Sequence, residues 1–327
     1  MNAINTLEKL QYGIETTPGT LVAADAVMLA EQGGEFTEEI DRVSIDEPRG
    51  VLAMVEDSDQ RKGSLLSYGG ALDFEQVLMP LLCGVKSVSP VNATGVYTWT
   101  VTPGMTAPDT LKAATWEVAY TDGSNKHVEL EFGFGTVSKF TIEFAYNQPA
   151  KITVEVFGRT RQTSTFTTAL APVAREVIPS NAFGVYIDDA AASYGGTQKS
   201  GLIRSGKLEI VTGAAPDYSL NARSDLDMTQ LVRGMITGSL SLNMAVDANF
   251  ATELGKYRDS SLRFVRLKAL GTSPRALTFD VSGRYTSPPK YGVDRGLRVA
   301  ELAMDLRYDG TGGNLLSAVV VNSLSGF

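Results

Sequence analysis

From residue 136 to 158 apolar and polar residues alternate with a period of two, and this pattern limits the possible folds more than any other feature of the chain. In 136–146 the apolar positions are Val137, Phe140, Ile142 and Phe144, the last three on one face. Pro149 breaks the run, and 151–158 then places Ile152, Val154 and Val156 on one face and Lys151, Thr153 and Glu155 on the other. Strand side chains point alternately to the two faces of a sheet. The segment therefore predicts an antiparallel hairpin with one face buried and one wet. Strand signals recur at 97–101, 116–120, 127–134, 183–187, 207–211, 235–246, 262–270, 276–285, 298–308 and 315–321. Ten or more short strands separated by polar or glycine turns predict a mainly β chain, a sandwich or barrel.

Helix signals are few. In 73–83 Phe74, Val77, Leu78, Leu81 and Leu82 form one apolar stripe, with Asp73 as N-cap, Glu75 in the first turn and Gly84 as the residue beyond the C-terminus. Pro80 weakens its last turn. A second short helix is predicted over 247–256. Each helix follows a Gly-Ser-Leu triplet, a strand and an aspartate: Gly63-Ser64-Leu65 before the first, Gly238-Ser239-Leu240 before the second. Acidic, turn-rich segments, 35–59 and 209–227, lie upstream of each. This order predicts a weak internal duplication with a period of about 175 residues, giving domains 1–170 and 181–327 joined through the Thr-, Ala- and Pro-rich stretch 160–181.

Composition removes several functions. Of 327 residues one is cysteine, Cys83, and one is histidine, His127, which excludes an internal disulfide, a Cys-rich zinc site and any multi-histidine metal centre. Lys plus Arg is 29 against 37 Asp plus Glu, a net charge of −8, which argues against a dedicated nucleic-acid binder. No stretch approaches the length of a membrane helix, and the first residues lack the apolar core of a signal peptide, so the chain is expected to be made and kept in a cytoplasm or exported without a cleaved signal.

No candidate site carries chemistry. His127 opens a strand after a turn, without a G-x-S-x-G nucleophile motif, and is expected as a surface residue. Cys83 lies on the apolar stripe and is expected buried. Glu56, Asp57 and Asp59 cluster, but a calcium loop counted from Asp57 would need Gly and Glu where Lys62 and Tyr68 stand. Gly133-Phe134-Gly135 and Tyr194-Gly195-Gly196 are too short for a phosphate-binding loop. Asn92-Ala93-Thr94 matches the glycosylation pattern but carries no weight without a secretory route. Basic residues are scattered (Arg204 and Lys207; Arg263, Arg266 and Lys268; Arg295 and Arg298). In 262–270 alternation puts Arg266 and Lys268 on one face and Arg263 on the other beside Val265 and Leu267, a local pair and no basic stripe. The expectation is a non-enzyme with no catalytic residue, cofactor or metal.

The segment from Gly13 through Glu15, Thr17-Pro18-Gly19-Thr20 to Ala23-Ala24 reads G-x-E-x-T-P-G-T-x-x-A-A and resembles the start of the tail tube proteins (major tail proteins) of long-tailed bacteriophages. The acidic stretch from Asp41-Arg42 to Pro48-Arg49-Gly50 is similar to that family's long loop, and 63–84 to its strand and helix. The resemblance implies tail-tube-like β-sandwich domains with short flanking helices. Their inner sheets would join into a ring β-barrel, and stacked rings would form a hollow tube for DNA. It implies no catalytic residues. An inter-ring role is expected for Asp41, Arg42, Asp46, Arg49, Glu56, Asp57, Asp59 and Arg61. Implied partners are further copies of the chain, the tape measure, tail terminator and distal tail proteins, and DNA in passage; the implied place is the virion tail of a siphophage type. If both halves are tube folds, three chains close a pseudo-hexameric ring; if the second half is a decoration, six do. A carbohydrate-binding or adhesin-like β-sandwich is the alternative. It requires an exposed aromatic platform, whereas Trp99 and Trp116 sit in predicted strands.

Overall fold

The computed structural model describes residues 8–31, 34–45, 47, 56–122, 124–220 and 225–327. Strands dominate the described residues. In chain order they are β1 Lys9–Ile14, β2 Ala26–Met28, β3 Glu35–Ile45, β4 Glu56–Ala71, β5 Val91–Ala93, β6 Val96–Val101, β7 Ala114–Thr121, β8 Lys126–Ala145, β9 Lys151–Gly158 and β10 Gln162–Thr163. They continue as β11 Phe183–Asp188, β12 Ile203–Val211, β13 Ala214–Asp217, β14 Gln230–Arg233, β15 Thr237–Ala245, β16 Arg263–Leu270, β17 Ala276–Tyr285, β18 Lys290–Asp294, β19 Leu297–Leu306 and β20 Leu316–Asn322. The helices are α1 Leu78–Pro80 and α2 Ala248–Arg258.

One antiparallel layer runs β3-β4-β9-β8-β12-β15-β19 and ends on β17 and β18, which pair with successive parts of β19. Against its apolar face lie two further arrays. One is β2-β1-β7-β8-β10, the other β11-β16-β17-β20-β6-β5. β8 and β17 belong to both layers because each bends. Residues 126–135 of β8 pair with β7, and 136–145 with β9 and β12. Glycine stands at each bend for want of space. A Cβ on Gly135 would lie 2.5 Å from Trp116 Cδ1, and one on Gly283 would lie 2.5 Å from Asp305 O. The sheet stays open: among the described residues no barrel closes within one chain, and the outer strands β3 and β18 have no second neighbour.

A continuous core fills the space between the layers. Phe140, Ile142, Val154, Leu208, Leu240 and Met304 are all buried, as alternation predicts. Trp99 and Trp116 lie at its centre. Buried Asn322 ties three segments together: its amide donates to Phe74 O at 2.9 Å, and its carbonyl accepts from Trp99 Nε1 at 3.3 Å and Leu324 N at 3.1 Å. β5 and β6, from the first half of the sequence, pair into the array of β20 from the second half, so the two halves are interwoven.

Three expectations need correction. The helix predicted over 73–83 is a short α turn at Leu78–Pro80 followed by a π-helical turn, Leu81–Val85. Pro80 has no amide hydrogen to continue an α ladder, and the π turn contains Gly84 rather than ending on it. Asp73 still caps the segment, its Oδ1 accepting from Glu75 N at 3.0 Å and from Gln76 N. Of the acidic stretch 41–50 read as a loop, 41–45 is strand, paired with 56–61 of β4, while Asp46 and 48–50 lie outside the described residues. The Gly-Ser-Leu triplets stand one residue out of phase: Ser64 is buried toward the core, whereas Ser239 is exposed on the opposite face.

Candidate assembly surface

The wet face of the main sheet is a regular polar surface that runs across its strands from β3 to β18. Residues opposite one another on an antiparallel ladder share a face, so the register defines this surface row by row. One row runs Lys151, Glu143, Lys207, Ser241, and the next Thr153, Thr141, Glu209, Ser239, Asp305, Arg284. Eight carboxylates (Glu35, Glu39, Glu143, Glu155, Glu209, Asp294, Glu301, Asp305) share this face with five cations (Lys139, Lys151, Lys207, Arg284, Lys290). Lys139 lies 3.6 Å from both Glu155 and Glu209, Lys207 lies 3.2 Å from Glu143, and Lys151 lies 3.5 Å from Glu31. The face therefore carries a modest excess of carboxylates, and three of its lysines already have carboxylate partners.

The β3–β4 hairpin extends beyond the sheet as an arm. β9 accompanies β4 only as far as the Ser64–Gly158 pair. From there outward the two strands pair only with each other, over about 23–26 Å at strand rise. The side chains of Asp41, Arg42 and Arg61 are more than half exposed. Arg42 Nε lies 2.7 Å from Asp59, Lys62 lies 3.2 Å from Asp59, and Arg61 lies 3.3 Å from Asp41. Arg42 and Lys62 hold the Asp59 carboxyl below the usual carboxylate range. Exposed pairs of this kind add little stability. The base of the arm is braced by the β13–β14 hairpin. Lys62 N donates to Leu226 O at 3.0 Å, Tyr218 OH to Lys62 O at 3.4 Å, and Thr160 N to Asp227 Oδ1 at 2.7 Å.

The G-x-E-x-T-P-G-T segment holds the bend of β8. Buried Glu15 accepts from Phe134 N at 2.7 Å and Thr115 Oγ1 at 3.1 Å through one oxygen, and from Gly19 N through the other. Phe134, between Gly133 and Gly135, has φ of 57°, a conformation that costs a non-glycine residue energy and survives only where the surroundings enforce it. Thr17-Pro18-Gly19-Thr20 is a tight turn closed by Thr20 N to Thr17 O at 3.0 Å, with Gly19 at φ 83°. Arg159 donates to Gly19 O at 3.0 Å.

A family model described as phage tail tube protein matches residues 7–313. The chain belongs to the phage tail tube protein family. No curated protein matches it. This is a structural family rather than a catalytic one, and it places the protein in the virion tail, assembling with itself and other tail components into a tube. The carbohydrate-binding alternative is not favoured, and both tryptophans that could have built its platform are buried.

For a tail tube protein, the arm is where six of the eight residues expected between rings come together: Asp41, Arg42, Glu56, Asp57, Asp59 and Arg61 all lie on the paired strands of the hairpin. Asp46 and Arg49 lie outside the described residues. His127 is at the start of β8, with Nε2 3.3 Å from Asp122. The Asp122 carboxyl is held down to about 2 by the backbone amides of Asn125 and Ser124. Among the described residues no cluster of metal-ligating side chains occurs and no helix is long and apolar enough to cross a membrane. Arg266 forks onto Asp280 at 2.6 and 2.7 Å, and Arg263 is buried on the opposite side of the same strand, as the alternation of that strand predicts.

Sequence reasoning missed several buried carboxylates, two of which hold networks of contacts. Glu15 is one. The other is Glu253 of α2, which receives Arg263 Nε and Nη2 at 2.9 Å each and Tyr285 OH at 3.0 Å, with Lys199 at 3.5 Å. Cys83 is fully buried, and burial pushes its thiol up to about 12. At pH 8 only about one part in 10⁴ is then thiolate, the nucleophilic form. Alkylation of the native protein is expected to be slower than that of the urea-unfolded chain by at least about a hundredfold; equal rates would place Cys83 at the surface.

Proposed function

We propose that the chain forms the wall of a DNA conduit in a siphophage-type tail, with the wet face of the main sheet turned to the lumen. The observation that carries this is the mildly acidic polar face, whose lysines are largely engaged by carboxylates. Such a face offers phosphates little net attraction, and DNA passing along it is not retained.

The order of pairing supports two tube-wall units per chain, 1–170 and 181–327. The series β3-β4-β9-β8 has the same antiparallel order as β12-β15-β19-β17/β18. β7 and β16 lead into the bent strands β8 and β17, and β1 and β11 flank them. Leu66 and Leu240 are buried, and each stands seven residues before a capping aspartate, Asp73 and Asp247. This sets the repeat at 174 rather than 175. Two units of four strands make three chains the natural ring. Twenty-four strands spaced about 4.8 Å apart and tilted about 40° enclose a barrel about 48 Å across the backbone. Six chains would form the ring if the second half were a decoration. Rings would stack through the arms, assemble in the host cytoplasm, and meet the tape measure, tail terminator and distal tail proteins along and at the ends of the tube.

Removing residues 41–60 tests stacking. The deletion takes away the outer part of a hairpin that contributes little to the core, so the chain is expected to fold and form rings that do not lengthen into tubes. Tubes of normal length from this variant, seen by negative-stain electron microscopy, would refute the docking role of the arm.

A further inference from the structure

Inside the chain, β8 and β12 already show how the end of one four-strand series joins the start of the next. Leu208 lies opposite Ile142 and Lys207 opposite Glu143. On the two-unit reading above, on which this inference rests, β12 corresponds to β3 and β8 to the broken strand β17–β18, and these are the two free edges of the sheet. The correspondence can be carried to single residues. Leu66 matches Leu240; Leu66 faces Phe36 and Leu240 faces Leu208, so Phe36 matches Leu208. Gly70 matches Met244; Gly70 faces Ile152, which faces Ile142, and Met244 faces Ala300, which faces Tyr291, so Tyr291 matches Ile142.

We infer that β3 of one copy pairs with β18 of the next in a single register: Phe36 opposite Tyr291, Thr37 opposite Lys290 and Glu35 opposite Gly292. Three features agree with it. The eight strands alternate in direction, so β3 and β18 run oppositely and the joint stays antiparallel. The backbone groups are also in phase. Lys62 N is bonded to Leu226 O, away from β3, so the Ile40–Lys62 pair is not hydrogen-bonded and Ile40, Glu38 and Phe36 direct their amides to the free edge. Phe36 O does accept there, from Arg161 at 3.3 Å, a contact that the incoming strand replaces. On the other edge, Thr286 N donates to Ala303 O at 3.2 Å, which turns the odd residues of β19 toward β17 and β18. Lys290, opposite Glu301, then faces inward, and Tyr291 directs its amide outward. Lastly, Lys290 comes to lie between Glu35 and Glu39, as Lys207 lies beside Glu143 within the chain, and the exposed Tyr291 ring is covered.

Thr37 and Lys290 would form a non-hydrogen-bonded pair with Cα atoms about 4.5 Å apart, within disulfide range. The test is the full chain carrying Thr37→Cys and Lys290→Cys, oxidised after assembly and run on denaturing, non-reducing gels. Closed covalent oligomers of three chains are expected, while the shifted pairs Glu35→Cys with Lys290→Cys and Glu39→Cys with Lys290→Cys remain monomeric. Cross-linking of a shifted pair in preference would overturn the register. Rings in the microscope with no cross-link from any pair would overturn the joint itself and leave the tube reading standing. Absence of rings from the unsubstituted protein would overturn both.

Discussion

Glu15→Ala is expected to lower folding stability by about 4 kcal/mol, because it leaves the buried amide of Phe134, the amide of Gly19 and the Thr115 hydroxyl without their acceptor. Phe134 keeps its left-handed backbone only while neighbouring bonds enforce it, so the bend of β8 loses its support as well. For a domain with a typical margin of roughly 5–15 kcal/mol this is a large fraction. Glu15→Gln retains an oxygen for Phe134 but presents an NH₂ group where a second acceptor stood, and is expected to fall between. Urea unfolding followed by tryptophan fluorescence reports directly, since Trp116 packs against Gly135 at the bend. A midpoint for Glu15→Ala equal to that of the parent would show that the motif does not hold the bend.

Arg263→Met is expected to cost about 3–5 kcal/mol, because it strands the carboxylate of Glu253 in the core. Glu253 is wholly buried, and two of its contacts come from the Arg263 fork. Tyr285 and Lys199 remain, but burial pushes the Tyr285 hydroxyl pKa up and keeps it a neutral donor. Arg263→Met with Glu253→Leu removes both charges and is expected to recover most of the loss, since a buried ion pair replaced by apolar groups of similar size is often nearly neutral. A double variant as unstable as the single one would mean that the pair fixes α2 in a way packing cannot replace.

Local alternation made the wall strands legible. Phe140, Ile142, Val154 and Val156 show their burial through their spacing alone. The arm was not legible as strands because both of its faces are wet, and a hairpin without a buried face has no apolar period to read. Leu78, Leu81 and Leu82 are spaced as on a helix and are all buried, yet Pro80 converts the stripe into an α turn and a π turn. The sequence shows the motif of Glu15 but not its task, because the groups it satisfies stand 100 and 119 residues further along the chain. Glu253 stood in a short polar helix with nothing local to mark it as buried. Its partner, Arg263, was placed correctly on the apolar face of its strand, and a charged residue on such a face is a signal that a buried counter-charge exists.

The claim that one chain supplies eight wall strands, and three chains a ring, is tested most directly by electron microscopy of purified rings combined with their mass. The account predicts a central hole and a mass three times that of the 35.0 kDa chain, with six similar lobes related strictly in threes. A ring of six chains, or a monodisperse single chain at every concentration and salt, would contradict it.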